Sequence, residues 1–388
     1  MKRRRIVVLG LMGQYPLGGM AWQVLHHVIG FRRLGHDAYY VENNGAPPYS
    51  PRQKSIVTDC RPNVRFIRDT FGRFDLGDVW SYWDSGGKRW YGMGEARSRE
   101  LLREADLLVN LCGAARPGDY ADRKGRLVYV ETDPILEQVK YARGDAATKA
   151  FLEGHDVLFT YALRLGDPGT KVPPGPFRWH KTHPPVIVDL WEAPPPRDPA
   201  KAWWRTIATY FNTGKDVTID GETYFWSKHP NWDLVMDLPR TTGTRCEVAL
   251  VSPREDQRAR FEAGGWKVED PVKISSGAFV YQRYIQGAKG EFSVEKDDQV
   301  RLHLGWFSDR SVCFLAAGRP CVIQDTGFGV RVPTGTGLLG WSTREEAIDG
   351  LARVSRDYAA HARRAREIAR EHFEASVLLP RMLEAAGV

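Results

Sequence analysis

The chain has 388 residues, of which 42% are hydrophobic and 27% are charged, and its formal net charge is +7. This length exceeds one ordinary hydrophobic core and predicts two domains, while the composition is that of a globular protein. No stretch of about 18 apolar residues is present, so the pattern excludes a transmembrane helix. Five cysteines without paired spacing predict reduced thiols and a cytoplasmic location.

The chain opens with a strand, a glycine loop, a helix and a second strand. Residues 4–11 are apolar and predict a buried strand, and Gly18 and Gly19 lie in the loop that follows. Residues 20–34 have helical periodicity, and 34–42 lead through Leu-Gly-His into the second strand. The two glycines allow backbone to approach a ligand where a Cβ would block it.

The rest of the first half continues this alternation. Helices are predicted at 63–70 and 95–105, and strands at 106–111, 126–131 and 157–161. Strands separated by helices predict an α/β fold with a parallel sheet covered on both faces. In such sheets, ligands bind beyond the carboxyl ends of the strands.

The second half is predicted to repeat the α/β pattern. Strands are expected at 206–210, 247–251 and 278–281, one long helix at 347–371, and a short last helix at 376–385. No internal repeat or low-complexity segment is evident. The basic residues are spread along the chain and form no recognised DNA-binding motif.

The most informative segment is the polar turn at 305–311. It leads into a predicted helix that ends at Gly318 and then into a buried strand at 321–323. The serines and the arginine of this turn, placed at a helix N-terminus, form a suitable site for phosphate oxygens.

This order of parts resembles the sugar-nucleotide-binding segment of GT-B glycosyltransferases with a group 1-like C-terminal domain. The opening with its Gly-Gly loop is similar to the N-terminal domains of that family, and 156–191, before the prolines at 194–196, resembles their interdomain link. The resemblance implies two Rossmann-like α/β domains that face each other across a cleft.

The same resemblance implies the domain limits. Residues 1–193 are expected to bind the acceptor, and residues 194–372 are expected to bind the nucleotide sugar. Residues 373–388 are expected to form a C-terminal helix that returns to the N-terminal domain.

The activity that the resemblance implies is hexosyl transfer from a nucleoside-diphosphate sugar, most simply a UDP-sugar. The donor is then a co-substrate, and neither a cofactor nor a metal is expected. The implied donor-binding residues are Gly18, Gly19, Lys296, Ser308, Asp309, Arg310, Ser311 and Asp325. Trp80 and Trp83 are candidates for acceptor binding, because sugars stack on aromatic faces, although tryptophan also fills cores.

Two residues are candidates for the base that takes the acceptor proton. Asp133 follows a predicted buried strand and is the first candidate, with His27 as the second. Asp133 has an alternative role as the N-cap of a helix that begins at Pro134, and one of the adjacent His26 and His27 is expected at the surface.

The chain departs from many retaining family members in lacking their pair of glutamates, whose positions are occupied by Gly305 and Cys313. Retention and inversion of the anomeric centre are therefore both open. The acceptor can be a small molecule, a glycan or a nucleic acid, and the protein a monomer or a homodimer.

The sequence also bears on two other functions. The basic chain suits a glycosyltransferase that modifies a hydroxymethylated base in DNA. A dinucleotide enzyme is disfavoured because the glycines between 10 and 19 do not form the GxGxxG pattern, although Glu42 ends the second strand as in that motif.

Overall fold

The computed structural model describes residues 2–251 and 254–388, and it contains two parallel sheets formed by successive halves of the chain. The elements of the first half are β1 Arg5–Leu9, α1 Gly18–Arg33, β2 Asp37–Glu42, β3 Tyr49–Ser50, β4 Ser55–Ile56, α2 Arg61–Gly72, β5 Trp80–Asp84, β6 Arg89–Gly92, α3 Glu95–Glu104, β7 Leu107–Leu111, β8 Arg126–Glu131, α4 Leu136–Ala142, α5 Ala146–Glu153, β9 Val157–Thr160 and β10 Trp179–Lys181. The predicted strands at 106–111, 126–131 and 157–161 are confirmed as β7, β8 and β9.

The first sheet has the order β10-β9-β8-β7-β1-β2-β5-β6. Its neighbouring strands are parallel except for the β5–β6 pair at one edge, which is antiparallel. Strand β7 is wholly buried, and β1 and β8 are buried except for their first residues, because helices cover both faces of the sheet. The carboxyl ends of β1, β7 and β8 meet at one edge of this sheet.

The second half forms a sheet with the order β15-β14-β11-β16-β17-β18, in which all pairs are parallel. Its elements are β11 Trp204–Thr209, β12 Val217–Ile219, β13 Glu222–Tyr224, α6 His229–Val235, α7 Leu238–Thr242, β14 Cys246–Val251, α8 Glu255–Ala263, β15 Lys267–Glu269, α9 Pro271–Ser275, α10 Ala278–Gln286, β16 Gly290–Ser293, α11 Asp297–Leu302, α12 Asp309–Ala316, β17 Cys321–Gln324, β18 Leu338–Trp341, α13 Arg344–Arg356, α14 Tyr358–Ile368 and α15 Ala375–Ala386. The predicted strands at 206–210 and 247–251 are confirmed as β11 and β14.

The two halves are joined by a shared apolar core around α1. Trp22 on α1 donates its indole N–H to the carbonyl of Ala278 at 2.8 Å, and its ring lies 4.7 Å from the ring of Trp191. On the other side, α15 packs so closely on α1 that a Cβ at Gly30 would lie 2.6 Å from Leu379. The last helix thus packs on α1, an element of the first half of the chain.

Two predicted elements are wrong. Residues 278–281 begin helix α10 rather than a strand, because the buried residues Ala278, Tyr281 and Ile285 recur at helical spacing. The predicted helix at 347–371 is interrupted at Asp357, which leaves helical geometry and accepts a hydrogen bond from the N–H of Ala360 at 3.1 Å as the cap of α14.

Among the described residues, no helix is long and apolar enough to cross a membrane.

Candidate active site

A cavity of about 340 Å³ lies between the two halves, beyond the carboxyl ends of β11 and β14. The N-termini of α1 and α12 both reach it, from opposite sides. Its lining includes Gly19 and Gln23 from the first half and Tyr281, Ser308 and Asp309 from the second. Open α/β sheets bind ligands at this end of their strands, so the cavity is the candidate site for the donor.

The N-terminus of α1 can pack against Tyr281 only because residue 18 is glycine. A Cβ at Gly18 would lie 2.4 Å from the Cβ of Tyr281, so any other residue would push the halves apart. A Cβ at Gly19 would meet nothing closer than 3.8 Å. Within the described chain no side chain caps α1, whose first N–H groups are therefore available to an anion.

The loop that leads into α1 is held by Glu42 at the end of β2. Its carboxylate accepts the N–H groups of Gly13 at 2.6 Å and Gln14 at 2.5 Å, and also the hydroxyl of Tyr40. Burial raises the pKa of Glu42 to about 7, against the effect of these donors. Glu42, which ends the second strand as in a dinucleotide-binding motif, therefore binds groups of the protein itself.

At the start of α12, Ser308 is the N-cap and its hydroxyl accepts the N–H of Arg310 at 3.2 Å. Asp309 follows in the first turn and accepts a 3.4 Å hydrogen bond from the amide of Gln23 on α1. Burial raises the pKa of Asp309 to about 6. Ser311 points into the core, wholly buried, and its hydroxyl has no partner among the described residues.

Arg310 borders the cavity, but its guanidinium is directed into the protein. It donates to the carboxylate of Glu291, to the carbonyl of Ile207 at 3.1 Å, to the hydroxyl of Ser293 at 2.9 Å and to Glu295 at 3.4 Å. Burial opposes the charge of Arg310, but the two carboxylates raise its pKa above the ordinary value. The side chain predicted to bind diphosphate therefore already neutralises two buried acids.

Lys228 completes this buried cluster. Its ammonium donates to Glu295 at 3.0 Å and to the carbonyl of Val294 at 2.5 Å. Burial lowers the pKa of Lys228 to about 8, partly offset by the adjacent carboxylate. Two cations, Arg310 and Lys228, thus face two carboxylates, and the four charges balance.

Asp133 lies where the halves meet at the carboxyl end of β8. Its carboxylate accepts a 2.5 Å hydrogen bond from the ammonium of Lys296 and a 2.7 Å bond from the indole of Trp226, while the ammonium of Lys215 is 3.9 Å away. Burial alone would raise the pKa of Asp133, but Lys296 and Lys215 hold it below its usual value. The alternative of a helix cap is wrong, because Ile135 occupies the N-cap position of α4.

A continuous set of contacts connects Asp133 with the cavity. The preceding residue, Thr132, has its hydroxyl 3.0 Å from the sulfur of Cys112, which donates to Gln23 at 3.1 Å. Gln23 in turn reaches Asp309, as described above. Asp133 and its lysines do not line the cavity themselves, but these contacts connect them with the start of α12.

Glu131, at the end of β8, holds the turn that carries Asp133. Both of its oxygens lie 2.8 Å from the amide nitrogen of Gln138, and Thr160 donates to it at 2.6 Å. The amide oxygen of Gln138 accepts the N–H of Ile135, which has a φ of 107°, rare for a β-branched residue. Burial raises the pKa of Glu131 above the usual range.

Four other predicted site residues lie away from the cavity. His27 is wholly buried in α1, its Nδ1 2.8 Å from the carbonyl of Gln23, and burial lowers its pKa to about 4. Trp80 is a core residue, and Trp83 lies at the sheet edge with its ring 5.4 Å from that of Trp90.

Asp325, the fourth of these residues, accepts the N–H of Gly327 at 2.8 Å at the carboxyl end of β17. The expectation that His26 or His27 is at the surface is wrong, since both are buried. His26 instead accepts the indole N–H of Trp191 at 2.9 Å.

Sequence reasoning missed Lys215, Trp226 and Gln23. Lys215 follows a glycine in the loop after β11, which is a detectable signal for an anion site, whereas Trp226 and Gln23 carry no local signature. The lysines also flank the Trp226 ring, Lys215 at 4.7 Å and Lys296 at 4.6 Å from its centroid. Within 2–251 and 254–388, no group of three or more His, Cys, Asp or Glu side chains could hold a metal ion.

No protein-family model matches the chain. No curated protein matches it by sequence.

Solved structures do match it, over its full length. An alpha-glucosyltransferase in complex with UDP and a 13-mer DNA containing a HMU base superposes with a TM-score of 0.60 at 13% identity and covers 100% of both chains. AviGT4, a glycosyltransferase involved in avilamycin A biosynthesis, gives a TM-score of 0.53 at 12% identity over 99% of this chain and 97% of its own.

Anabaena Alr3699/HepE in complex with UDP and glucose gives a TM-score of 0.54 at 11% identity over 99% of this chain and 100% of its own. At such identities the likeness concerns architecture rather than activity. Together with the two facing parallel sheets, it shows that this chain has the GT-B fold.

Proposed function

We propose that this protein is a glycosyltransferase that moves a hexose from a nucleoside-diphosphate sugar, most simply a UDP-sugar, to an acceptor hydroxyl. The observation that carries the proposal is the cavity between the sheets, which the starts of α1 and α12 both line. Lys215 and Lys296 lie outside this lining, on Asp133, and the chain of contacts through Cys112 and Gln23 connects them with it. Two structures of similar fold, 11–13% identical to this chain, contain UDP, and this supports UDP as the nucleotide of the donor.

The diphosphate is the group that this arrangement suits best. The uncapped N-terminus of α1 at Gly18 and Gly19 offers backbone N–H groups, and Ser308 opens α12 on the opposite side. Lys296 and Lys215, which lie on Asp133 outside the cavity lining, are proposed to add their positive charges to the bound diphosphate. As the sugar bond breaks, negative charge builds on the leaving diphosphate, so these donors stabilise the transition state more than the ground state.

The proposal includes a metal-independent mechanism. The charge that a divalent ion would supply to the diphosphate comes here from the lysine side chains and the helix N-termini. Addition of EDTA is therefore expected to leave donor affinity unchanged.

Asp133 is proposed as the base that takes the acceptor proton. In the absence of donor its carboxylate is held by Lys296 and Trp226, which lower its basicity. A bound diphosphate competes for Lys296, and release of that lysine raises the pKa of Asp133 toward a value suited to proton transfer. In this scheme, Arg310 does not contact the donor and instead stabilises the second sheet next to the cavity by neutralising Glu291 and Glu295.

A second candidate differs in the acceptor, which would be a hydroxymethylated base in DNA. It is favoured by four of the matched structures, which are alpha-glucosyltransferases in complex with DNA. The two candidates are separated by offering UDP-[¹⁴C]glucose with either a hydroxymethyluracil oligonucleotide or the same oligonucleotide containing uracil. Label on the first alone would establish the second candidate.

The central experiment is a thermal-shift and calorimetric titration of the protein with UDP-glucose, with and without EDTA. A ligand that binds only the folded state raises the melting temperature, by an amount that grows with ligand concentration. A variant with both Lys215→Met and Lys296→Met is expected to lose the shift, whereas Lys149→Met, at an exposed helix position, keeps it. A double variant that binds UDP-glucose as the parent does would contradict the proposed diphosphate site.

A further inference from the structure

A second, larger concavity of about 940 Å³ runs beside the donor cavity. One wall is α2 with the loop at 50–57, from the first half, and the other is the segment 276–283 at the start of α10, from the second half. We call it the arginine groove, because five arginines line it: Arg52, Arg61, Arg65, Arg73 and Arg283.

The charge of the arginine groove is not compensated by its own acids. Asp59 is paired with Arg61 at 2.8 Å, and Asp69 is paired with Arg68 at 2.8 Å. In the ranges that the structure describes, Arg52, Arg65 and Arg283 have no carboxylate at ion-pair distance, and all three are exposed. The two acidic residues are thus neutralised while cations remain free for an external anion.

Aromatic rings add apolar surface between these charges. The guanidinium of Arg73 lies over the ring of Phe279, 5.5 Å from its centroid, and Phe66 is half-buried beside it on α2. A basic track with interspersed aromatic rings is the arrangement that binds single-stranded nucleic acid backbones and bases.

The arginine groove leads into the donor cavity. Pro51 lines both of them, and Pro16 and Ser276 of the groove are next in sequence to Leu17 and Ser275 of the cavity. Lys54, which lines the cavity, adds a further exposed cation at the junction. A long molecule in the groove therefore reaches the place where the donor sugar is proposed to lie.

We propose that the arginine groove binds the acceptor and that this acceptor is an extended, single-stranded phosphodiester chain. Several free guanidinium groups along one track match a repeated anion, and their planar forks match phosphate oxygens. A neutral glycan offers no charge to them. The inference rests on the proposed function for the location of the reaction, and it adds the chemical class of the acceptor.

The test measures fluorescence anisotropy of a labelled single-stranded oligothymidylate as the full-length protein is added, between roughly 50 and 200 mM salt. Binding is expected to weaken with salt, with a slope of log K of about −0.7 for each phosphate contact. The variant Arg65→Ala/Arg283→Ala should bind at least tenfold more weakly and lose about 1.4 from that slope, at about 0.7 for each lost contact. The matched control, Arg363→Ala/Arg370→Ala, removes two exposed arginines from α14 and the turn after it, outside the groove, and should change neither.

An abasic oligomer of equal length separates two sources of affinity. Equal binding of both oligomers assigns recognition to the phosphodiester backbone, and tighter binding of the oligothymidylate assigns part of it to stacking on the groove aromatics; both results support the proposal. Absence of binding, equal loss in the two double variants, or tighter binding of poly-glutamate through the same arginines would overturn it.

The thermal shift with UDP-glucose keeps this inference separate from the proposed function. The Arg65→Ala/Arg283→Ala variant is expected to retain the full shift, because neither residue lines the donor cavity or belongs to the lysine–aspartate group proposed to hold the diphosphate. A parent protein that binds the oligomer through the groove but shows no shift with any nucleotide sugar would refute the proposed function alone.

Discussion

The ammonium of Lys296 lies 2.5 Å from one carboxylate oxygen of Asp133, and this pair joins the two halves of the protein across the proposed catalytic region. Both side chains are largely shielded, with exposed fractions of 14% and 27%. One residue is proposed to bind the leaving group and the other to take the acceptor proton, so occupation of the donor site controls the base.

The first prediction concerns Lys296→Met. We expect the dissociation constant for UDP-glucose to rise by roughly tenfold to a hundredfold, because a charge-assisted hydrogen bond contributes about 1.5–3 kcal/mol. Isothermal calorimetry measures this directly. Lys149→Met serves as the control, and an unchanged dissociation constant in Lys296→Met would remove this residue from the donor site.

The second prediction concerns Asp133→Asn. The amide can still accept the indole N–H of Trp226 but is a very weak base, so turnover should fall by about 10²–10⁴-fold. The protein should remain folded but melt at a lower temperature, because the charge that Lys296 stabilises is lost. Steady-state kinetics and melting curves on the same preparation check both parts. Turnover within twofold of the parent would mean that another group takes the proton.

The third prediction concerns Arg310→Ala. Its removal leaves the buried carboxylate of Glu291 without its ion-pair partner and leaves Glu295 with Lys228 alone, so the free energy of unfolding should fall by about 3–5 kcal/mol. Urea denaturation measures the loss. The sequence-based hypothesis adds a catalytic role at the diphosphate, which kinetics on the folded fraction of the milder Arg310→Lys variant will test.

The outcome of these measurements distinguishes two roles. Arg310→Lys with parental donor KM and turnover, but reduced stability, would restrict the arginine to supporting the fold. A raised donor KM together with lowered turnover at parental stability would instead place its charge on the diphosphate.

The fourth prediction is a pH dependence set by Asp309, whose pKa burial raises to about 6. As the pH rises through this value, the carboxylate gains a charge that repels the donor diphosphate, so affinity for UDP-glucose should be higher at pH 5 than at pH 7. The same raised pKa means that the contribution of Asp309 to folding is complete below its ordinary pKa and is lost as the pH rises through about 6. In Asp309→Asn the donor affinity should be flat over this range, and a slope equal to that of the parent would assign the effect elsewhere.

The fifth prediction compares two adjacent glycines in α1. Gly18→Ala places a Cβ 2.4 Å from that of Tyr281. Because both atoms are bonded to the backbone and cannot move aside, the free energy of unfolding should fall by about 1–3 kcal/mol. Gly19→Ala has its nearest neighbour at 3.8 Å and should leave the free energy of unfolding within about 1 kcal/mol of the parent. Equal melting temperatures for the two variants would show that the halves do not pack as described.

The sheets are largely predictable from local pattern. Each buried strand of a parallel sheet is a short apolar run, and β1, β7, β8 and β9 are recognisable because polar or glycine residues bound those runs. The start of α12 can also be predicted from neighbouring residues, since the hydroxyl of Ser308 accepts the N–H of Arg310 only two positions further along the chain. The strand prediction at 278–281 is wrong because an apolar run of four residues is too short for its periodicity to distinguish a strand from a helix.

The partners of the charged residues follow from no local pattern. Asp133 and Lys296 are 163 positions apart, and Arg310 meets Glu291 only because helix α12 packs beside strand β16. In the structure, the aspartate expected to be a base or a helix cap forms an ion pair between the halves, and the arginine expected to bind phosphate is the counterion of buried acids. Local sequence is sufficient for the buried strands and for the cap at Ser308, because these depend on neighbours along the chain, whereas it does not predict the caps at Ile135 and Asp357. Ion pairs, burial and pKa depend on residues that only the packing of the two halves brings together.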